Sequence, residues 1–454
     1  MKRKLTSFLA LLPMSILAAV LLSPGLGRAA DRPNVLLILA DDLGYADVGI
    51  QGQKAVATPH IDSIAQNGVR FSSGYVSGTM CSPTRAGLMT GRYQTRFGHE
   101  FNPAALKDGL PAGEVTFADR MKAAGYVTGL VGKWHLGEVE YAEFHPLDRG
   151  FSESVYFPGQ KKLPPLTVWR GRESETINEF IGPALAREAN AFITRHQDEL
   201  WFLYLAPTFV HKPIEVTAGL LARVPASAGD DKHRAYLASI IALDDLVGAV
   251  LAKLRELNLE QRTLIFFLSD NGGTVLANNL PLRGGKGQTF EGGIRIPFLA
   301  QWKGVIPAGR VLDQPVISLD LLPTALAVAG VAPKPEWNLD GANLLPLLKG
   351  EDTLPHPEGL FWRFGDQWAV RIGDWKLVQS GSRKLGPVAL HDLAQDVGEK
   401  TNLIQSHPEK ERELRSAWER WNSSNVAPLW PQPSEEPAHR PGDASKIEKP
   451  DSNP

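Results

Sequence analysis

Four continuous apolar runs in the first two thirds of the chain predict buried β-strands. They lie at residues 34–40, 126–131, 201–206 and 263–268. A strand that is apolar at every position is covered on both faces, as the strands of parallel sheets usually are. Amphipathic stretches between these runs, such as 117–124 and 235–257, predict helices. The alternation predicts an α/β fold with a large, mostly parallel central sheet and helices on both faces.

The pattern changes after about residue 350, where short alternating segments replace the long apolar runs. Segments at 360–364, 367–372 and 375–379 are separated by Gly-Asp pairs, which favour tight hairpin turns. A helix is expected at 408–421. We predict a catalytic domain at 31–350 and a small C-terminal subdomain, with an antiparallel sheet and a helix, at 351–430. Residues 431–454, rich in Pro, Glu, Ser and Lys, are predicted to be disordered.

The N-terminus has the pattern of a secretory signal. Basic residues open the chain, an apolar stretch extends to Leu22, and the small residues Gly27 and Ala29 follow. We therefore expect a signal peptide at 1–29, with cleavage after Ala29 and export to the periplasm or the extracellular space. A membrane anchor is the alternative, but Pro13 interrupts the apolar stretch. No later segment is expected to be long enough to cross a membrane.

Charge and cysteine content narrow the function classes. The formal net charge is −2, which provides no basic face for nucleic acid and no attraction to anionic membranes. Cys81 is the only cysteine, so no intramolecular disulfide can form. A lone cysteine is commonly a small, buried apolar side chain. The neighbours of Cys81 indicate a different role.

Residues that carry chemistry follow each of the four apolar runs. In open α/β sheets, ligands bind beyond the carboxyl ends of the strands. The residues at these ends are Asp41, Asp42, Lys133, His135, His211, Asp270 and Asn271. A single Asp at a strand end is usually a cap or a turn residue, but adjacent carboxylates repel unless a cation lies between them. Oxygen ligands of this kind suit Ca²⁺, with Mg²⁺ as the alternative, better than they suit zinc.

The segment Cys81-Ser82-Pro83-Thr84-Arg85 predicts a second part of the same site. Pro83 suits the first turn of a short helix, and Gly91 suits its C-cap. Cys81 then lies at the helix N-terminus, where free amides favour anions, and Arg85 shares its helix face. The arrangement suits a tetrahedral oxyanion substrate.

These motifs resemble those of the type I, formylglycine-dependent sulfatase family of the alkaline phosphatase superfamily. Residues 81–85 match the family's C-x-P-x-R maturation motif, and residues 125–135 resemble its second signature. Residues 282–287 resemble the stretch that carries a further active-site lysine, here Lys286. The resemblance extends over roughly residues 34–403, including the C-terminal subdomain.

The resemblance implies a sulfuric ester hydrolase whose nucleophile is made from Cys81. A separate maturation enzyme would oxidise this cysteine to formylglycine. One hydroxyl of the hydrated aldehyde attacks the sulfur of the substrate and the alcohol leaves, after which the second hydroxyl releases sulfate. The resemblance also implies a cation site formed by Asp41, Asp42, Asp270, Asn271 and residue 81.

Roles for the remaining side chains are implied by the same resemblance. Arg85 would hold the ionised form of residue 81, and Lys133 and Lys286 would neutralise the sulfate oxygens. His211 is the expected general acid for the leaving alcohol, and His135 is the expected partner of the diol. The division of labour between the two histidines is open.

Two other functions stay open at this point. A phosphodiesterase or phosphonate hydrolase of the same superfamily would share the cation site, and a non-catalytic binder of sulfated glycans would keep the fold without turnover. For a sulfatase, the expected substrate is a sulfated small molecule or a glycan, such as a glycosaminoglycan or algal glycan fragment. Candidates for contacting the sugar are His99, Glu100, Asn102, Arg283, Trp362 and Arg363.

Overall fold

Three β-sheets and ten α-helices make up the computed structural model, which describes residues 32–382 and 384–432. The predicted signal peptide at 1–29 lies outside these residues, as does the predicted tail at 431–454 apart from its first two positions. The strands are β1 Asn34–Ala40, β2 Val69–Phe71, β3 Gly74–Tyr75, β4 Val127–Gly132, β5 Glu153–Tyr156, β6 Leu166–Arg170, β7 Glu173–Ile177, β8 Trp201–Ala206, β9 Thr263–Ser269, β10 Phe298–Gln301, β11 Arg310–Leu312, β12 Val316–Ile317, β13 Leu360–Phe364, β14 Gln367–Ile372, β15 Trp375–Gln379 and β16 Ala389–Asp392. The helices are α1 Pro59–Gln66, α2 Cys81–Thr90, α3 Phe117–Ala123, α4 Ile181–Arg195, α5 Ala218–Leu221, α6 Asp231–Glu256, α7 Glu291–Ile294, α8 Leu321–Val328, α9 Leu345–Lys349 and α10 Pro408–Asn422.

Five parallel strands form the centre of the largest sheet. Its ten strands have the order β11-β2-β10-β9-β1-β8-β4-β5-β6-β7. β1 pairs in parallel with both β8 and β9, so Leu36 lies beside Leu203 on one side and Ile265 on the other. β4 extends the parallel set from β8 to β5, whereas β10, β6 and β7 pair antiparallel with their neighbours. The prediction of a large, mostly parallel sheet is confirmed.

Both faces of this sheet are covered by helices, which explains why its central strands are apolar at every position. Val35, Leu37 and Leu39 of β1 point to one face and pack with residues of α2, α3 and α8. Leu36 and Ile38 point to the other face and pack with residues of α1, α4 and α6. Successive side chains of a strand alternate between faces, so only an unbroken apolar run satisfies both layers.

Helix α6 corrects one expectation from the sequence. It has 26 residues and an apolar window of mean hydropathy 1.8, so its length and composition would allow it to cross a membrane. However, 78% of that window is buried inside the fold, where α6 packs against α1 and α4. The helix also begins before the predicted residue 235, because Asp230 caps it by accepting the backbone N–H of His233 (2.8 Å).

The C-terminal sheet is antiparallel throughout, in the order β13-β14-β15-β16. Gly365 and Gly373 occupy the two predicted hairpin turns, both with a φ of 58° that favours glycine. Helix α10 packs against β14 and β15. The prediction of an antiparallel sheet with a helix is therefore confirmed, while β16 is a strand that the sequence pattern did not indicate.

A buried ion cluster joins this sheet to the rest of the fold. Lys376 on β15 places its Nζ 2.8 Å from Glu291 Oε1 and 2.9 Å from Glu399 Oε1, and all three side chains are fully buried. Burial opposes ionisation of Glu291, but Lys376, followed by Arg295, lowers its pKa to about 2. Lys376 is therefore the cation that the two carboxylates share, while Arg295 Nη1, 3.2 Å from Glu291 Oε2, also compensates Glu291.

We expect Lys376→Met to destabilise the protein strongly, because it leaves two buried carboxylates without their shared cation. The free energy of unfolding should fall by about 3–5 kcal/mol, as measured by urea denaturation. Lys400→Met is the matched control, since it removes the same charge from an exposed side chain. A loss of less than about 1 kcal/mol for Lys376→Met would contradict the role of this cluster.

Candidate active site

Hydrogen bonds that extend the parallel sheet hold the loops at its carboxyl edge. The N–H of Asp41 donates to the carbonyl of Phe209 (2.8 Å), and the N–H of Asp270 donates to the carbonyl of Ala40 (3.0 Å). The N–H of Lys133 makes an equivalent bond to the end of β8 (2.8 Å). Because β9, β1, β8 and β4 are neighbours, these bonds bring four strand ends together.

Four of the predicted site residues meet at one point of this edge. One ligand atom from each of Asp41, Asp42, Cys81 and His211 lies within 4.8 Å of the others. Cys81 Sγ lies 3.4 Å from Asp41 Oδ1 and 3.7 Å from Asp42 Oδ1. His211 Nε2 lies 3.7 Å from Asp42 Oδ2. The side chain expected to act as an acid therefore also stands among the possible cation ligands.

Helix α2 carries Cys81 and Arg85 into the site. It begins at Cys81 and ends with Gly91 as a left-handed C-cap (φ 66°), as the sequence predicts. Arg85 is fully buried and donates to Asp270 Oδ2 through both Nε (3.0 Å) and Nη2 (2.7 Å). This two-point contact fixes the guanidinium beside residue 81.

Two lysines neutralise the adjacent carboxylates. Lys133 Nζ lies 2.8 Å from Asp41 Oδ2, and Lys286 Nζ lies 2.5 Å from Asp42 Oδ1. Lys286 Nζ also lies 3.1 Å from Cys81 Sγ. The two amines thus contact the carboxylates on either side of residue 81. The reacting group of a substrate is expected to bind at residue 81, so both amines lie close to it.

Burial and neighbouring charge set the protonation states of the acidic groups. Burial, followed by the charge of Asp41, raises the pKa of Asp270 to about 6. At Asp41 burial is outweighed by Lys133 and His211, which help to hold the pKa of that carboxyl well below its usual range. Burial and then the charge of Asp270 raise the pKa of the Cys81 thiol. Unmodified Cys81 is therefore a poor nucleophile at neutral pH, because the thiolate is the reactive form.

The two predicted histidines are held in specific states. Burial, followed by the charge of Lys133, lowers the pKa of His135 well below its usual range, and burial lowers the pKa of His211. His211 Nδ1 lies 2.5 Å from the carbonyl of Lys212, so Nδ1 donates and Nε2 faces the carboxylates. His135 and Asp42 both have left-handed backbones (φ 61° and 66°), a strain that clusters at functional sites.

The donor set fits a hard divalent cation. Asn271 Oδ1 is buried and has no hydrogen-bond partner within the described part of the chain. The Nδ2 of the same side chain lies 2.8 Å from Asp42 Oδ1, so the amide stands at the carboxylate pair. A cation bound here would satisfy the orphaned oxygen and relieve the repulsion between Asp41 and Asp42.

Ser82 belongs to the site but was not indicated by the sequence. Its Oγ donates to the carbonyl of His135 (2.7 Å) and lies 2.7 Å from His99 Nε2. His99 is fully buried, and burial lowers its pKa to about 3, so its ring is neutral. Ser82 thereby holds the strained backbone of His135. Position 82 is a variable residue of the C-x-P-x-R motif, so the motif itself carries no signal for this contact.

The residues considered for contacting a sugar are engaged within the fold. Arg363 Nη2 lies 2.6 Å from Glu100 Oε2, and Trp362 is 1% exposed. Asn102 Oδ1 accepts a backbone N–H of α2 (3.2 Å), and Arg283 donates to a backbone carbonyl of the C-terminal region (3.0 Å). These contacts, like that of His99, give each side chain a structural role.

Comparison with known families defines the class of the protein. The sulfatase family model matches residues 33–331. A second model, for the C-terminal part of N-sulphoglucosamine sulphohydrolase, matches residues 285–420. The chain belongs to the sulfatase family and hydrolyses a sulfate ester.

Similar proteins agree over most of the chain. N-acetylgalactosamine-6-sulfatase of Canis lupus familiaris is 36% identical over 79% of this chain and 74% of its own length. Arylsulfatase A of Homo sapiens is 34% identical over 86% of this chain and 87% of its own length. The crystal structure of Ps i-CgsB in complex with k-i-k-neocarrahexaose superposes with a TM-score of 0.83 at 33% identity, over 88% of this chain and 94% of that chain.

We expect a divalent cation to stabilise the folded protein, because the donor set exists only in the native state. Calcium at about 100 times its Kd should add about 2.7 kcal/mol to the free energy of unfolding, and a chelator should remove this gain. Thermal unfolding with and without calcium measures the effect. Asp42→Asn should abolish the response, and Asp313→Asn, which changes an exposed carboxylate, should keep it. The same Tm for the wild type in calcium and in chelator would contradict the expectation.

Proposed function

We propose that this sulfatase is exported and removes a sulfate group from a sulfated carbohydrate, such as a glycosaminoglycan or algal glycan fragment. N-acetylgalactosamine-6-sulfatase, named for a sugar, is among its similar relatives, and the related Ps i-CgsB structure holds a neocarrahexaose. Steryl-sulfatase of Homo sapiens, at 31% identity, is less similar. The predicted signal peptide at 1–29 supports export to the periplasm or the extracellular space.

One observation carries the proposal: Cys81 lies among paired carboxylates, a histidine and a lysine at the carboxyl edge of the sheet. Its Sγ is within 3.1–3.7 Å of Lys286, Asp41 and Asp42. A cysteine that served only as a small apolar core residue would be surrounded by apolar side chains. The surroundings of Cys81 are ionised instead, which supports a role in binding and transforming an anion.

Conversion of Cys81 to formylglycine removes the difficulty of a buried thiol with a raised pKa. The hydrated aldehyde supplies an oxygen nucleophile in place of the sulfur. Asp41, Asp42, Asp270 and Asn271, with residue 81, would hold Ca²⁺, with Mg²⁺ as the alternative ion. The cation would supply Lewis-acid stabilisation of negative charge at this point.

The chain's own side chains have distinct tasks in this proposal. Arg85, fixed by its two-point contact with Asp270, orients residue 81 and favours its ionised form. Lys133 and Lys286 bind the sulfate oxygens and stabilise the charge that develops on them. His211 donates a proton from Nε2, which faces the site, to the leaving alcohol; its ring must first be protonated for this step, because Nδ1 keeps its proton on the carbonyl of Lys212. His135 accepts a proton at residue 81.

The function is tested by assaying purified protein with the sulfate and phosphate esters of 4-nitrophenol. We expect turnover of the sulfate ester, and mass measurement of the peptide that carries residue 81 should give the aldehyde form. Cys81→Ala should lose turnover while its free energy of unfolding stays within about 1 kcal/mol of the wild type. Preferred hydrolysis of the phosphate ester would favour the phosphodiesterase alternative, and an unconverted thiol without turnover would favour the glycan binder.

We expect the effect of His211→Ala to depend on the leaving group. An alkyl or sugar sulfate needs a proton on the leaving oxygen, so its kcat should fall by about a hundredfold or more. 4-Nitrophenyl sulfate expels 4-nitrophenolate, a stable anion that needs no proton, so its kcat should fall much less. His407→Ala serves as a control, because this histidine lies on the surface. Equal losses for both kinds of substrate would show that His211 is not the general acid.

A further inference from the structure

Lys162 is a buried cation for which the proposed mechanism has no use. The residue is 0% exposed, and its Nζ donates to the backbone carbonyl of Gln160 (2.8 Å). Among the residues that the structure describes, no carboxylate oxygen lies within 4.0 Å of this amine. A buried lysine is rare unless it is paired, so the position of Lys162 calls for a compensating charge farther away.

The loop that carries Lys162 leaves the sheet beside Lys133. β5 pairs in parallel with β4, and the N–H of Phe157 donates to the carbonyl of Gly132 (3.3 Å), the residue before Lys133. The loop from β5 to β6 therefore starts at the same carboxyl edge as the active site.

Packing contacts then connect Lys162 to Asp41. The carbonyl of Lys162 accepts the N–H of Ile181 (3.0 Å). The preceding ring, Phe180, packs on the ring of Phe209 with centroids 5.8 Å apart, and the carbonyl of Phe209 accepts the N–H of Asp41 (2.8 Å). The backbone of Lys162 is thus linked through two intervening contacts to the segment that positions Asp41.

Glu215 is near Lys162 but is engaged with the backbone. Its Oε2 accepts the backbone N–H groups of Lys162 (2.7 Å) and Leu163 (3.2 Å). These bonds tie the loop that follows His211 to the loop that carries Lys162. Glu215 therefore makes no ion pair with the amine of Lys162, whose hydrogen bond goes to the carbonyl of Gln160.

The protonation of Lys162 reflects this position. Burial has the largest effect on the pKa of Lys162, which is lowered to about 8. The negative charges of Asp41, Glu215 and Asp42, in that order of size, oppose this decrease. Lys133 acts in the same direction as burial. Lys162 therefore remains mostly protonated at neutral pH, and its main electrostatic partners are the carboxylates of the site.

We propose that Lys162 is a further cation of the sulfate-binding pocket, which acts through space on the anion held between Lys133 and Lys286. Because its amine is covered, Lys162 does not touch the substrate and is not a catalytic residue. This inference rests on the proposed sulfatase function. The proposed role differs from a purely structural one in its effect on stability. A buried ammonium without an ion-pair partner disfavours folding, so replacing Lys162 by a neutral residue should preserve or increase the stability of the protein. The same replacement should weaken anion binding.

The test compares Lys162→Met and Lys162→Gln with Lys161→Met, which removes the same charge from the adjacent exposed lysine. For 4-nitrophenyl sulfate we expect kcat/KM to fall by about tenfold in both Lys162 variants, the size expected for one buried charge that does not touch the anion. The inhibition constant of inorganic sulfate should rise by a similar factor, and Tm should stay the same or increase. Lys161→Met should remain within about twofold of the wild type.

Three results would overturn the inference. Kinetics of both Lys162 variants equal to those of Lys161→Met would show that the charge does not reach the pocket. A lowered Tm or failure to fold in both variants would assign Lys162 a structural role. Loss of turnover without any change in the inhibition constant of sulfate would exclude action on the bound anion. If the wild type itself hydrolysed no sulfate ester, the proposed function would fail first, so the two failures are distinguishable.

Discussion

The whole site depends on holding three buried carboxylates close together at the carboxyl edge of a sheet. Asp41, Asp42 and Asp270 are at most 2% exposed, and like charges this close resist ionisation. Three cationic side chains offset that repulsion: Arg85 contacts Asp270 and, at 3.9 Å, Asp41; Lys133 contacts Asp41; and Lys286 contacts Asp42. The fold must therefore deliver six charged groups from five segments to one point, and loss of any one leaves an uncompensated buried charge.

The parallel sheet meets this requirement because its strand order places the contributing ends side by side. β1 lies between β8 and β9, and its seven residues are completely buried apart from Asn34 at 1%. Packing of apolar side chains on both faces fixes the register of the strands. The backbone hydrogen bonds between them continue past the strand ends into the loops. Apolar burial in the sheet thus supports the charged groups at its edge, including the strained backbones at Asp42 and His135.

The sequence could predict those features that depend on a local pattern of residues. The apolar runs predicted the central strands, and the residues directly after each run lie at one edge of the sheet. Gly91 and the turn glycines Gly365 and Gly373 were predictable because a left-handed backbone selects glycine. Short strands such as β2 and β10 carry too few residues to show a period, and they form by pairing with each other, β10 also with β9 and β2 also with β11.

Contacts between loops were beyond the reach of sequence for a different reason. The hydroxyl of Ser82 meets the carbonyl of His135, and the backbone N–H of Lys162 meets the carboxylate of Glu215, only after distant segments are packed. The internal contacts of the sugar-contact candidates were equally hidden from the sequence, because they also join distant segments. Arg363 and Glu100 satisfy each other instead.

The charge balance of the centre also explains its suitability for a sulfate ester. Three carboxylates face three cations in direct contact, so the set alone has no strong preference for an anion. A divalent cation held by Asp41, Asp42 and Asn271 would free the lysines to turn toward a ligand and would make the centre net positive. A sulfate ester carries a single negative charge with three equivalent oxygens, which matches a pocket with several separate donors rather than one concentrated charge.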